Sequence, residues 1–166
     1  MLAIGIDPGT AITGYGLVSE EDDGSLKVVD YGVILTSADD AMPDRLVQLY
    51  QQLKNIIELH SPQSGAVEKL FFARNVRTAL TVGQARGVAL LALAESEVSI
   101  AEYSPNEIKQ AVVGYGGADK NQVQKMVQAI LELDQIPHPD DAADALAVAI
   151  CHLHSARMRG FAVEAG

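Results

Sequence analysis

The sequence has a single cysteine, Cys151, no tryptophan, and only three phenylalanines among few aromatic residues. One cysteine cannot form an intrachain disulfide, which fits a reducing compartment, so we expect a cytoplasmic protein. We expect Cys151 to be a core thiol in a helix rather than a nucleophile. Charged or polar residues interrupt every apolar stretch, and we therefore predict no membrane span. The first residues predict a strand rather than a signal peptide.

Basic residues are also scarce, with 12 lysines and arginines against 22 acids and a formal net charge of −10. This balance argues at first against a nucleic-acid partner. The distribution of charge weakens that objection, because residues 69–125 contain seven bases and five acids. A local basic face would suit a polyanionic substrate, although ordinary surface charge accounts for the same composition.

Hydrophobic periodicity and turn residues predict one domain over residues 1–158 and a frayed tail over 159–166. Three strands joined by short turns come first, and helices and strands alternate after them. The predicted strands are Leu2–Asp7, Thr13–Val18, Leu26–Leu35, Gly65–Leu70 and Val98–Tyr103. The predicted helices are Pro43–His60, Arg74–Glu95, one opening at Ser104–Pro105 with Glu107 at the capping-box position, Asn121–Leu133 after a possible Asp119 cap, and Asp140–Arg157. This order predicts an α/β fold, a mixed five-stranded sheet flanked by helices.

Four carboxylates lie where acids contribute little to stability. Asp7 ends the first buried strand and Glu68 ends a second short apolar run, while Asp141 and Asp144 lie one turn apart at the start of the last helix. Strand ends and a helix N-terminus can converge over one edge of a sheet. A hard cation such as Mg²⁺ takes oxygen ligands and usually keeps waters for a phosphate substrate. The joint pattern predicts a metal-dependent enzyme that acts on phosphate esters.

Each acid taken alone also has an ordinary explanation. Asp7 can open an Asx-turn, and Asp141 with Asp144 can complement the dipole of a helix N-terminus. Glu68 has little such explanation if its strand is central, because an unpaired buried glutamate is costly. Asp140 could be an N-cap, a ligand or an exposed residue, and these alternatives stay open.

Five groups of motifs form a combination that is highly specific, although the first motif alone is not. They are Gly5-Ile6-Asp7-Pro8-Gly9 with Thr13-Gly14-Tyr15-Gly16, Glu68 through Phe71, Gly83-Gln84-Ala85-Arg86-Gly87, Ile108-Lys109-Gln110 with Val112-Val113-Gly114, and Asp141-Ala142-Ala143-Asp144-Ala145-Leu146-Ala147. With these motifs the chain resembles the RuvC family of bacterial Holliday junction resolvases along essentially its whole length. The resemblance implies a ribonuclease-H-like fold.

The resemblance also implies an activity and its partners. It implies a homodimer that cuts two opposed strands of a four-way DNA junction at related positions and leaves nicks that ligase can seal. It implies that Asp7, Glu68, Asp141 and Asp144 are the catalytic residues and bind two Mg²⁺ ions, with Mn²⁺ as a substitute. Some members of the family carry histidine at the position of Asp141, where this chain has an acid. A RuvA and RuvB branch-migration complex is the implied partner.

Further site residues follow from the same resemblance. Phe71 matches a junction-facing aromatic that stacks on an unpaired base. Lys109 and Lys120 match positions implied in catalysis or phosphate contact, where an ammonium group can stabilise charge that develops on the phosphate. The other candidate DNA contacts are Lys69, Arg74, Arg77 and Arg86.

The long predicted helix is rich in small residues, among them Gly83 and Gly87. Such residues let another helix approach closely, so they fit a two-fold interface, and packing on the helix's own sheet fits equally well. The resemblance favours the dimer interface, because one site per subunit can meet two symmetric strands.

Three other functions are compatible with parts of the pattern. An ATP-binding phosphotransferase of the actin and sugar-kinase class begins with a similar acid–glycine–threonine turn, but needs a second similar domain for which we expect 166 residues to leave no room. A non-catalytic junction-binding relative would be expected to lack at least one of the four acids, and none is missing. A nuclease of the same fold that cuts RNA in hybrids stays open.

Overall fold

The computed structural model describes residues 1–70 and 76–164, and over these residues the elements follow the predicted order. The strands are β1 (Leu2–Asp7), β2 (Ile12–Glu20), β3 (Leu26–Leu35), β4 (Ser64–Glu68) and β5 (Ser99–Tyr103). The helices are α1 (Met42–His60), α2 (Val76–Glu95), α3 (Pro105–Val113), α4 (Lys120–Ile130) and α5 (Asp140–Glu164).

The last helix differs most from its predicted bounds. It continues to Glu164, so the end predicted near Arg157 is wrong. No proline interrupts this stretch, and Gly160 alone costs a helix only about 1 kcal/mol. The domain boundary at residue 158 stays a prediction.

The five strands form one mixed sheet in the order β3-β2-β1-β4-β5, which confirms the predicted architecture. The central strand β1 pairs antiparallel with β2 and parallel with β4. β5 pairs parallel with β4, and Glu68 lies beside Tyr103 in that register. Because the carboxyl ends of parallel strands meet at one edge of a sheet, Asp7 and Glu68 end neighbouring strands at the same edge.

Helices cover both faces of the sheet. Ile4 and Ile6 of β1 pack in a cluster with α1 and α2, whereas Ala3 of β1 and Ala66 of β4 pack in a second cluster with α3, α4 and α5. Side chains alternate along a strand, so Asp7 and Glu68 project towards the α5 side, as Ala3 and Ala66 do.

Helix α5 lies very close to the sheet because glycines occupy the strand positions beneath it. A Cβ atom on Gly5 would lie 2.5 Å from the backbone nitrogen of Ala149, and one on Gly14 would lie 2.5 Å from the carbonyl carbon of Asp141. Gly14 is also the partner of Asp7 in the β1–β2 register. The absence of a side chain at Gly14 therefore sets the first turn of α5 directly beside the end of β1.

Capping boxes fix the starts of the two helices that carry the candidate lysines. At α3 the Ser104 hydroxyl accepts a hydrogen bond from the Glu107 amide at 3.2 Å, and the Glu107 carboxylate accepts one from the Ser104 amide at 2.7 Å. Asp119 and Gln122 form the same arrangement at α4. Both predicted caps are confirmed.

The interior of the chain agrees with one further prediction. Cys151 is buried in α5, and burial raises the pKa of its thiol to about 11, so the expectation of a core thiol is confirmed. Among the described residues, no helix combines the length and the apolar character that crossing a membrane requires.

We predict that Gly5→Ala lowers the free energy of unfolding by about 3 kcal/mol, because the new methyl group would overlap the α5 backbone. Urea denaturation measures the change. Gly116→Ala is the control, since a Cβ atom there would meet its nearest neighbour at an ordinary 3.8 Å. Equal stability of Gly5→Ala and the unaltered chain would contradict the close contact.

Candidate metal and nucleic-acid site

The fold brings the four predicted acids into one electrostatic cluster. Asp7 and Glu68 end neighbouring strands, and the first turns of α5 place Asp141 and Asp144 beside them. Burial and the negative charges of Glu68, Asp144 and Asp141 together raise the pKa of Asp7 to about 7 from an ordinary 3.8. A carboxyl group therefore sits here largely out of water and among like charges.

The pKa values of two neighbouring acids are raised in the same way. Burial and then the charge of Asp144 raise the pKa of Glu68, although a hydrogen bond with Asp7 and the charges of Lys109 and Lys120 oppose the shift. Burial also raises the pKa of Asp144, against the hydrogen bond and charge of Lys120. The arrangement is unfavourable for three carboxylates by themselves and favourable for a cation that they could share.

The donor set fits a hard divalent cation, because it consists of carboxylate oxygens at one edge of the sheet. In the described part of the chain, however, no three histidine, cysteine, aspartate or glutamate side chains stand close enough together to hold an ion as they are. Asp7 and Glu68 are hydrogen-bonded to each other, whereas Asp144 is paired with Lys120. Side-chain rotations towards a shared positive charge would be needed to complete the site.

Two lysines stand beside the acids, as predicted. The Lys120 ammonium lies 3.0 Å from Asp144 Oδ2 and 3.3 Å from Asp140 Oδ2. Lys109 is half-buried and lines a cavity of about 200 Å³ together with Glu68, Lys120 and Asp144. The cavity places two ammonium groups next to the carboxylates, where a phosphate group would need positive charge.

The other predicted DNA contacts have different outcomes. Lys69 lines a second cavity with Asp7 and Glu68, and its ammonium is 4.0 Å from a Glu107 oxygen. Arg86 forms an ion pair with Glu102 of β5, and its role as a DNA contact stays a prediction. Phe71 and Arg74 lie outside the described residues, as does the side chain of Arg77 in α2, so their roles stay predictions.

Asp140 is an exposed residue held by a neighbouring helix. Its two oxygens accept a hydrogen bond from the Gln124 amide at 2.9 Å and contact the Lys120 ammonium. The hydrogen bond from Gln124 and the contact with Lys120 lower the pKa of Asp140. Asp140 is thus exposed and is the first residue of α5, while its alternative role as a metal ligand stays a prediction.

A support for the turn after Asp7 was not apparent in the sequence. The buried Thr13 hydroxyl donates to the Gly9 carbonyl at 2.6 Å. The Thr36 hydroxyl donates to the carbonyl of Thr10 in the same turn. Arg45 in α1 donates to the Thr36 hydroxyl at 2.9 Å. Thr13 belongs to a recognised motif, but Thr36 and Arg45 are distant in sequence and gave no signal.

The structure separates the two explanations for small residues in α2. Three alanines pack on the helix's own sheet, fully buried: Ala85, Ala89 and Ala92. On the outward side Gly87 is exposed and a Cβ atom there would meet nothing within 4 Å, while Gly83 is half-buried near Leu70. Leu80 and Leu91 lie on that outward side with 65% and 54% of their surface exposed.

We predict that Asp7→Asn stabilises the metal-free protein at pH 8. The pKa of Asp7 is raised, so the folded state binds a proton more readily than the unfolded state between about pH 4 and 7 and loses stability as the pH rises through that window. We expect a gain in the free energy of unfolding on the order of 1–3 kcal/mol at pH 8 and little gain at pH 4. Urea denaturation in EDTA measures both values.

The control for that experiment is Asp22→Asn, which removes an exposed carboxylate at the β2–β3 hairpin tip. It should give no pH-dependent gain. An Asp7→Asn variant that is no more stable than the unaltered chain at pH 8 would contradict the electrostatic description of the site.

Comparison with known proteins now identifies the family. The family model described as crossover junction endodeoxyribonuclease RuvC matches residues 3–152. The protein of that name from Chloroflexus aggregans is 59% identical over 156 residues, which cover 94% of this chain and 94% of the relative. The Thermus thermophilus RuvC structure superposes with a TM-score of 0.89 and 36% identity, over 95% of this chain and 96% of the other.

A second solved structure, T. thermophilus RuvC in complex with Holliday junction substrate, matches with a TM-score of 0.87 and 34% identity over the same shares of the two chains. The fold is therefore ribonuclease-H-like, as the resemblance implied. The chain belongs to the RuvC family of crossover junction endodeoxyribonucleases, which are metal-dependent nucleases.

Proposed function

We propose that this chain resolves four-way DNA junctions during homologous recombination and DNA repair, by hydrolysing a phosphodiester bond in each of two opposed strands. The products are nicks that ligase can seal. The observation that carries the proposal is the convergence of four acids and two lysines at one edge of the sheet in a member of this family. The relative in complex with Holliday junction substrate supports the choice of DNA.

The metal would be held by Asp7, Glu68, Asp141 and Asp144. Two Mg²⁺ ions, or Mn²⁺ in their place, would supply an activated water and stabilise the leaving oxygen when bound. The carboxylates would have to be ionised to bind them, and a positive charge in the cluster would bring the raised pKa values of Asp7, Glu68 and Asp144 down. The negative charge that burial makes costly is thus the charge that a cation requires.

The lysines and the basic segment would hold the DNA. Lys109 and Lys120 border the cavity beside Glu68 and would stabilise charge on the scissile phosphate. Phe71 would stack on an unpaired base next to the junction, worth roughly 1–3 kcal/mol. Arg74 and Arg77 would contact the phosphate backbone, and Lys69 is a further candidate at the second cavity.

The active form would be a homodimer built on the outward side of α2. Exposed Leu80 and Leu91 flank Gly87, where a second helix could approach closely because no side chain fills the space. A two-fold interface repeats the same patch on both subunits. Two sites related in this way would meet the two opposed strands of one junction.

The setting of the reaction is proposed from the family resemblance. A RuvA and RuvB branch-migration complex would supply mobile junctions, and the cytoplasm is the location that this partnership implies. Residues 1–158 would form the single nuclease domain.

We predict that the chain cuts a mobile synthetic four-way junction in Mg²⁺ with paired nicks in opposed strands, and that Asp7→Asn abolishes cutting by removing a ligand. Denaturing gels of end-labelled strands measure the nicks, with linear duplex and an RNA–DNA hybrid as comparison substrates. Cutting of the hybrid alone would keep the metal site and overturn the substrate. Junction binding without any cutting would favour a binding module.

We predict that Leu91→Glu converts the dimer to a monomer, because it places a charge in the proposed interface. Sedimentation velocity measures the change. Leu59→Glu is a matched control, since Leu59 is a leucine of α1 that is 77% exposed and lies outside the interface. A Leu91→Glu protein that sediments like the unaltered dimer would move the interface elsewhere.

A further inference from the structure

We propose that Asp140 is a positioning residue that shares the ammonium group of Lys120 with Asp144. In this arrangement Lys120 neutralises Asp144 while no cation is bound. Asp140 then keeps the same ammonium at the edge of the site when a cation takes Asp144. The inference rests on the proposed metal site and adds Asp140 to the residues that act there.

The geometry places one ammonium between two carboxylates. Lys120 Nζ lies 3.0 Å from Asp144 Oδ2 and 3.3 Å from Asp140 Oδ2. Asp140 and Asp144 are four residues apart, so they lie on one side of α5 and face Lys120 together. The ammonium contacts both carboxylates at once, so it keeps one partner if the other turns away.

The two carboxylates differ in their surroundings. Asp144 is two-thirds covered and lies among the other acids, whereas the side chain of Asp140 is 54% exposed. Asp140 is oriented by the Gln124 amide, which donates to its other oxygen at 2.9 Å. Lys120 and Gln124 are themselves four residues apart on α4, so both lie on one face of that helix and both contact Asp140.

The position of Lys120 in its helix explains why its ammonium group needs negative partners. Lys120 is the first residue of α4, where the helix dipole disfavours a positive charge. Two facing carboxylates supply the negative charge that offsets the dipole. If Asp144 were occupied by a cation, Asp140 would be the remaining acid that is in contact with the ammonium among the described residues.

We therefore expect Lys120 to exchange Asp144 for Asp140 as its partner when a cation binds. Without Asp140, Lys120 would pair with Asp144 alone and compete more strongly with an entering cation. Once displaced, the ammonium would have no carboxylate to hold it beside the cavity that it shares with Lys109. Loss of Asp140 should therefore weaken cation binding and also lower the turnover number, through Lys120 in both cases.

The test is a double-mutant cycle on the full-length protein, measured by isothermal titration calorimetry with Mn²⁺ alone and by the turnover number on a four-way junction. The variants are Asp140→Asn, Lys120→Met and their combination. We expect Asp140→Asn to weaken Mn²⁺ binding about two- to fivefold, the range of an exposed ion pair. Lys120→Met should tighten Mn²⁺ binding, because it removes the competing ammonium, and should lower turnover.

The decisive comparison is the effect of Asp140→Asn once Lys120 is gone. We expect no further change in Mn²⁺ affinity in the Lys120→Met background, because the coupling passes through the lysine. Asp140→Glu should restore affinity and turnover. Asp134→Asn, which removes an exposed carboxylate from the loop before α5, is the charge-matched control and should change neither quantity.

Two results would overturn the inference. An equal loss of Mn²⁺ affinity from Asp140→Asn with and without Lys120 would mean that the negative charge of Asp140 attracts the cation directly and not through Lys120. Unchanged Mn²⁺ affinity and turnover in Asp140→Asn would mean that it has no role. Failure of the proposed function looks different, since the unaltered chain would then not cut the four-way junction at all, whatever its affinity for Mn²⁺.

Discussion

The contact between α5 and the glycines of β1 and β2 determines the geometry on which the site depends. Gly14 lies next to Asp7 in the sheet and directly beneath the Asp141 carbonyl, so a bare backbone position sets the separation of two acids from different elements. Gly5 allows the next turns of the helix to follow the strand. Any side chain at these positions would lift α5 and carry Asp141 and Asp144 away from the strand ends. The geometry of the proposed metal site and the packing of α5 on the sheet therefore depend on the same contact.

That constraint has an electrostatic cost, which the surrounding residues offset only in part. Bringing the carboxylates of Asp7, Glu68 and Asp144 together out of water raises the pKa of each, with burial as the largest cause. Lys120 and Lys109 oppose the shifts without cancelling them. A site that is unfavourable when empty of positive charge gains stability by linkage when a cation binds. The electrostatic cost is thus confined to the ends of the strands. The apolar clusters on both faces of the sheet stabilise the strands and helices that bear these acids.

Much of this could be predicted from local sequence, because strand ends, capping boxes and helical periodicity are local patterns. The acids at the ends of β1 and β4 and the Ser104 cap required no knowledge of distant residues. What could not be predicted depends on contacts between distant segments. The ion pair between Arg86 and Glu102 of β5 joins a helix to a strand and could not be read from either segment alone. The partners of Asp140 come from α4, and the support of the Asp7 turn by Thr36 and Arg45 joins segments far apart in the chain.

We propose that packing of α5 on the strand glycines assembles one metal site from four acids. Anomalous X-ray diffraction from a crystal of the protein grown with Mn²⁺ tests it most directly. We predict anomalous density among Asp7, Glu68, Asp141 and Asp144, with their carboxylates rotated inward and the Lys120 ammonium moved from Asp144 onto Asp140. Anomalous density elsewhere on the molecule, with the four carboxylates in their present separated positions, would contradict the account.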